Sequence, residues 1–272
     1  AIGFVAPAGV PGPSASFSVG IRTVVIDVSS GDAEYGIGGG VTFDSDPSAE
    51  YEEAALKSKI LTHGRSDFEL IETMRWVPGK GWSWLDLHLD RLESTADYFG
   101  VPVRRLAIVA ELNAAVDGCG ESRVRLAVDR RGRISVGVRR LVEHDRLPVA
   151  VAIDREPVDT SSPFLYHKTT RREVYEDRRA RHPNADDVLL VNGRGELTES
   201  TIANVAVKVE GQWCTPPMEA GCLPGVYRRV LLEEGKLVER PIRLEDLAGS
   251  SEIALLNSVR LWRDAFLVNE SE

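Results

Sequence analysis

Short β-branched and aromatic runs, separated by Gly-, Pro- and Ser-rich turns, open the chain. IGFVA, FSVGIRTVVID and YGIGGGVTFDSD predict three strands. At Asp46-Pro47-Ser48 the pattern changes. SAEYEEAALKSKIL carries acids in its first turns and lysines in its last, the polarity a helix dipole favours, and predicts a helix. The polar stretch THGRSD reads as a junction. From Phe68 a new pattern starts: a strand FELIETMRWV, a turn PGKG, and a helix WLDLHLDRLESTADYFG stopped by Gly100. A second helix is expected in VRRLAIVAELNAAVDG. A hairpin SRVRLAVDRRGRISVGVRRL and a strand LPVAVAID follow. Beyond the loop VDTSSPFLYHKTT come a helix RREVYEDRRARH, a strand DDVLLVN, and a long strand LTESTIANVAVKVEGQWCTPP with a hairpin at Glu210-Gly211. The helix PGVYRRVLLEEGK has Pro at its start and Gly near its end. VERPIRLEDLAG, a strand EIALLNSV and a tail complete the chain. Strands and helices alternate without the regular β-α-β spacing of a doubly wound sheet, so the expected class is α+β.

Length and charge narrow the possibilities. A chain of 272 residues has room for about two domains of ~150 residues. No apolar run approaches the ~18 to 20 residues that span a bilayer. The start has no basic region before its apolar residues, so a signal peptide is not expected. It also lacks an initiator Met, and the expectation is a fragment or a processed chain. The net charge of -9 argues against a nucleic-acid binder, which needs a basic field. Cys119, Cys214 and Cys222 form no C-x-x-C pair and no zinc spacing with His, so no metal site is expected. A reducing cytoplasm fits this cysteine usage.

Lysine is scarce: six stand against 27 arginines. Lys57, Lys59, Lys80, Lys208 and Lys236 lie on acidic helices or in turns and read as solvated. Lys168 differs. It follows Phe164-Leu165-Tyr166-His167 and precedes Thr169-Thr170, where a loop meets a helix. A lysine among aromatic groups and hydroxyls can lose charge by desolvation and act as an imine-forming amine. The residues alone leave open that it merely caps a loop. Leu223-Pro224-Gly225-Val226-Tyr227-Arg228 sets a turn at a helix N-terminus, whose free N–H groups and dipole suit a phosphate or only start a helix. Glu199 interrupts a strand among small hydroxyl residues, as a partner for a pyridinium nitrogen or as a surface acid. Arg91 sits beside Leu85, Leu89 and Leu92. No acid lies three or four residues away on its helix, so a helical ion pair explains it less well than a solvated surface arginine, and the residues alone leave that reading open beside a binding role. Asn257-Ser258 ends the apolar strand IALL. Arg125, on a strand, is a candidate for planar pairing with a substrate carboxylate, or else a surface arginine on a hairpin.

Taken in order, FELIETMRW, HLDRL, YHKTTRREVYE, LTESTIAN, LPGVYR and LLNSV make residues 68–265 resemble the class IV (fold type IV) pyridoxal-phosphate family. That family holds branched-chain and D-amino-acid aminotransferases and 4-amino-4-deoxychorismate lyase. The resemblance implies two α/β subdomains, over 68–157 and 163–272, and a homodimer. It implies that Lys168 carries pyridoxal 5′-phosphate as an imine. Glu199 would keep the pyridine nitrogen protonated, and Leu223 would pack on the ring. Arg91, Gly225, the N–H groups of Val226 and Tyr227, Asn257 and Ser258 would surround the phosphate. Tyr227 stands where many relatives have a small hydroxyl residue, so backbone contacts are expected from it.

Residues 1–62 resemble instead the C-terminal end of chorismate-utilising enzymes, through AIGFVAPAG, FSVGIRTVVID and YGIGGGVTFDSDPSAEYEEA. In that family the matching positions are Arg22 and Gly38 to Gly40 on chorismate carboxylates, with Glu50 and Glu53 near magnesium. Too little of the domain is present for chorismate amination to be expected. A chorismate-utilising segment running into a class IV module selects, by association, the lyase that forms 4-aminobenzoate and pyruvate. Lys168, displaced by the substrate amine, would then be the base for its C4 proton. The alternatives are a class IV amino-acid aminotransferase, which would share Lys168 and Glu199, and a truncated fusion without activity.

Overall fold

The computed structural model describes residues 2–5, 15–18, 24–36, 46–48, 68–141, 148–248 and 252–268. The chain divides into two units, Ala1–Ser66 and Asp67–Glu272.

In the first unit, β1 (Ile2–Val5) pairs antiparallel with β2 (Ala15–Ser18), and β3 (Val24–Ile26) with β4 (Ala33–Tyr35). Asp27 makes the second turn: its Oδ1 accepts from Ser29 N at 2.8 Å and Ser30 N at 3.2 Å, and Gly31 supplies the positive φ of 79°. The described part of the third strand starts at Ala33, ahead of the run read from the sequence. At Pro47 and Ser48 the backbone is helical, with Ser48 N donating to Asp46 Oδ1. Arg22, Gly38 to Gly40, Glu50 and Glu53 lie outside the described residues.

The second unit starts with β5 (Leu70–Val77) and the short β6 (Gly81–Trp82). Helices α1 (Leu85–Phe99) and α2 (Arg105–Val116) follow, then the hairpin β7 (Ser122–Val128) and β8 (Ile134–Arg140). These strands form an antiparallel sheet in the order β6-β5-β7-β8. Leu89, Leu92 and Ala96 form one buried helical stripe of α1 and pack on Leu70, Met74 and Val124. Gly100, at φ 64°, closes α1 by donating its N–H to Ala96 and Asp97 carbonyls.

The larger sheet contains β9 (Val149–Val158), β10 (Asp187–Asn192), β11 (Leu197–Ser200), β12 (Asn204–Val209), β13 (Gln212–Thr215), β14 (Val238–Glu239), β15 (Ile253–Asn257) and β16 (Leu261–Leu267). Helix α3 (Glu173–Arg181) precedes β10, α4 (Val226–Glu233) follows β13, and α5 (Leu244–Ala248) follows β14. The strand order is β11-β10-β9-β16-β15-β12-β13-β14. Strand β10 is buried along its whole length, as expected where helices or loops cover both faces.

Three differences from the sequence reading have physical causes. Strand β9 runs parallel to β10, with α3 as the crossover, so the change of sheet comes before Val149 rather than after residue 157. The long strand from Leu197 has a second break, the turn at 201–203, besides the expected hairpin, where Glu210 (φ 52°) and Gly211 (φ 84°) both take left-handed backbone. The expected tail contains β16, which pairs with both β15 and β9 in the middle of the sheet. Its half-buried LWRDAFL, with Arg263 and Asp264 at the centre, has no continuous apolar run to announce a strand.

One connection prepares the site. The segment after the Pro163–Leu165 turn lies along the start of β5. Ile71 N donates to Lys168 O at 3.0 Å, and Thr170 N to Glu69 O at 2.9 Å. Glu69 N donates to Thr170 Oγ1 at 2.9 Å. Lys168 is therefore held by the smaller sheet, although it leads into the larger one.

Candidate active site

A cavity of about 420 Å³ opens in the second unit. That is the size of a small-molecule site, typically ~300 to 1,000 Å³. Its wall brings together Arg91, Arg125, Lys168, Glu199 and Leu223. It also includes Gly225, Val226, Tyr227, Asn257 and Ser258. Every candidate named from the sequence of this unit is thus on one surface.

Lys168 is half-buried, and its Nζ has no hydrogen-bond or ion-pair partner among the described residues. Desolvation, helped by the Arg91 charge and opposed by Glu72 and Glu199, brings its pKa down to about 8. The preceding His167 stacks on Tyr98 at 4.3 Å, and its Nδ1 lies 3.2 Å from Thr95 Oγ1, so α1 braces the lysine segment.

Glu199, on β11, is buried. Its Oε1 accepts from the Tyr175 hydroxyl at 2.7 Å, and its Oε2 from Leu223 N at 3.2 Å and Asn204 Nδ2 at 3.4 Å. Burial outweighs these bonds and lifts its pKa to about 7. Because the folded value lies above the unfolded one, this group's stabilisation is complete below pH 4.5 and is lost as pH rises through about 7. In the cofactor-free protein, Glu199→Gln should therefore be more stable relative to wild type at pH 7.5 than at pH 5. The gap expected in urea unfolding is about 1–3 kcal/mol. No change in the gap between the two pH values would show that Glu199 ionises normally.

Two elements suited to an anion line the same cavity as this pair. Helix α4 begins at Val226 with no side-chain cap among the described residues, which leaves its first N–H groups open. Arg91 donates through Nη1 to Pro224 O at 2.9 Å, at the same helix start. Its Nε and Nη2 donate to Glu72 at 2.8 and 2.6 Å. Burial alone would raise the Glu72 pKa, but Arg91 and His88 override it and hold it at about 2. Gly225 permits a close approach here: a Cβ on it would lie 1.8 Å from Asn204 Oδ1. Asn204 Nδ2 in turn donates to Leu223 O at 2.9 Å. Ser258 is buried, and Asn257 Oδ1 accepts from Val259 and Arg260 N–H groups, folding the turn after β15 toward the cavity. The Tyr227 ring packs on Trp84 with centroids 5.3 Å apart.

The wall is strongly cationic. Arg91, Arg123, Arg125, Arg171, Arg172, Arg260 and Lys168 line it against Glu176 and Glu199. In a chain of charge -9 this is a concentrated positive site, suited to an anionic ligand. Several participants were not found from sequence: Glu72, His88, Tyr175 and Asn204. Glu72 looked like an ordinary polar strand position. His88 could have been suspected, because it shares a helical face with Arg91 and Thr95 beside the leucine stripe.

Comparison with known proteins agrees with these features. The family model described as amino-transferase class IV matches residues 69–265, and that described as chorismate binding enzyme matches residues 1–63. A Schizosaccharomyces pombe protein named "Putative aminodeoxychorismate lyase" is 32% identical over 198 residues, 69% of this chain and 85% of its own length. The crystal structure of a "Putative amino-acid aminotransferase" from Mesorhizobium loti is 37% identical. It superposes with a TM-score of 0.70, over 74% of this chain and 100% of that one. "A hypothetical aminotransferase" from Mycobacterium tuberculosis, in its PLP-bound form, is 25% identical with a TM-score of 0.63, over 77% of this chain and 83% of its own. The α+β architecture is that of fold type IV. By the match over residues 69–265, the chain belongs to the class IV aminotransferase family.

Proposed function

We propose that this protein is a pyridoxal 5′-phosphate-dependent lyase that cleaves 4-amino-4-deoxychorismate to 4-aminobenzoate and pyruvate. The observation that carries the cofactor part is the unpartnered Lys168 amine, with a pKa of about 8, in an otherwise cationic cavity beside a buried carboxylate. Class IV enzymes depend on this cofactor. The lyase part is supported by the name of the S. pombe relative and by the chorismate-binding match in the same chain.

The donor set fits the cofactor. Lys168 would hold its aldehyde carbon, Glu199 its ring nitrogen, and Leu223 its ring face. Arg91, Gly225, the Val226 and Tyr227 amides, Asn257 and Ser258 would surround its phosphate. When bound, the cofactor supplies an electron sink for the pair released at the substrate carbon. The protein's part is proton handling and placement. With a pKa of about 8, Lys168 has roughly a tenth of its amine neutral at pH 7, enough to take the C4 proton at Nζ. Glu199 presents a carboxylate whose charge is adjusted by the Tyr175 hydroxyl and the Leu223 amide. Arg125 offers a planar guanidinium to a substrate carboxylate. Loss of the C4 proton and of the enolpyruvyl oxygen leaves an aromatic ring, and protonation of the departing enolpyruvate gives pyruvate.

We read residues 1–62 as the C-terminal remnant of a chorismate-binding domain. The four-stranded sheet with its helices is the small subdomain, and the eight-stranded sheet the large, cofactor-binding one. A cytoplasmic homodimer accords with the class IV resemblance and the cysteine usage. Among the described residues, no helix is long and apolar enough to cross a membrane. The test supplies 4-amino-4-deoxychorismate to the cofactor-loaded protein. Equimolar 4-aminobenzoate and pyruvate are expected. Absence of both, with a lasting change of cofactor absorbance on adding an amino acid, would make the protein a transaminase instead.

A further inference from the structure

We propose that Glu72, itself clamped by His88, is a positioning residue that aims Arg91 at the phosphate of the cofactor. The inference rests on the cofactor reading above. Glu72 points inward from β5 and is 1% exposed. Its two oxygens meet Nε and Nη2 of Arg91 side by side, the fork geometry that fixes the plane of a guanidinium. The same carboxylate has a second anchor, His88 Nδ1 at 2.7 Å from Oε2. An ionised carboxylate only accepts, so the proton of this bond sits on Nδ1. His88 is fully buried, and among the described residues its Nε2 has no partner and the ring's polar contact goes to Glu72.

Arg91 therefore reaches the helix start in a set orientation. A guanidinium has five N–H groups. Glu72 takes two of these and the Pro224 carbonyl a third, leaving one on each Nη beside the first amides of α4. A long flexible side chain loses entropy when an anion orders it, and here that ordering is already done by the protein. Glu72 touches no ligand in this arrangement; it acts through Arg91.

The test is equilibrium binding of pyridoxal 5′-phosphate, and separately of pyridoxal, to wild type, Glu72→Gln and Glu72→Asp, with circular dichroism to verify the fold. Glu72→Gln should weaken phosphorylated cofactor about tenfold or more while pyridoxal changes by less than about twofold. Glu72→Asp keeps the charge but withdraws it by one methylene, and should show a smaller loss of the same selective kind. It carries the test if the Gln variant does not fold. Equal weakening of both ligands would mean a merely structural role and overturn the proposal. So would no change, or tighter phosphate binding, which would mean that the carboxylate competes for Arg91. A wild-type protein that binds neither ligand, or both equally, would instead overturn the cofactor reading on which the inference stands.

Discussion

Lys168→Ala should lower the release of 4-aminobenzoate and pyruvate by about a thousandfold or more, because it removes both the attachment amine and the proton acceptor. The fold should survive. Among the described residues the side chain makes no hydrogen bond, and the bonds that seat the segment on β5 come from the backbone of residues 168–170 and the Thr170 hydroxyl. The lysine's folded pKa is depressed, so its charged form is disfavoured near neutrality, and the variant's thermal midpoint should be equal or higher at pH 7. Assay and thermal melt together check the prediction. A folded Ala variant that still turns over near the wild-type rate would remove Lys168 from the chemistry.

Gly225→Ala is expected to have the next largest effect. The backbone at this position has φ -65°, open to any residue, so the constraint is contact and not conformation. The added methyl would meet Asn204 Oδ1 at 1.8 Å and its Cγ at 3.0 Å. Asn204 cannot simply swing aside, because its amide holds the Leu223 carbonyl and reaches Glu199. Overpacking of this kind costs about 1–3 kcal/mol, and here it also moves the start of α4. Cofactor binding should weaken by about tenfold or more. Adding Asn204→Ala should make the double variant less destabilised than the sum of the single changes, by about 1 kcal/mol in denaturant unfolding. Strict additivity would show that the two residues do not collide.

The sequence and the structure agree where one local signal dictates the outcome. The leucine stripe and Gly100 define α1 without help from the rest of the chain. Lys168 stood out because lysine is rare and its neighbours are aromatic. Arg91 was noticed for what it lacked, an acid on its own helix. Its partner, Glu72, lies on a different element, and only the packing of α1 against β5 brings the two within 2.6 Å. Tyr175 and Asn204 escaped for the same reason: each meets Glu199 from another element, and no spacing along the chain encodes that meeting. Strand β16 was missed because half-burial and central charges blur its alternation. Strand β9 is legible as a strand but its sheet is not, since parallel pairing is decided by a partner far along the chain.

That central position of β16 bears on how the protein is made. Strands β9 and β15 each have β16 as a neighbour, and β16 is the last strand of the described chain. During synthesis the earlier strands emerge in order, yet the middle of their sheet stays open until this late segment arrives. Pairings so distant in sequence close slowly. Until then β9 and β15 expose unmatched edges, the kind that recruit other chains. The nascent protein should therefore depend on chaperones until β16 has emerged, with Lys168 already out while the sheet beneath it is still incomplete.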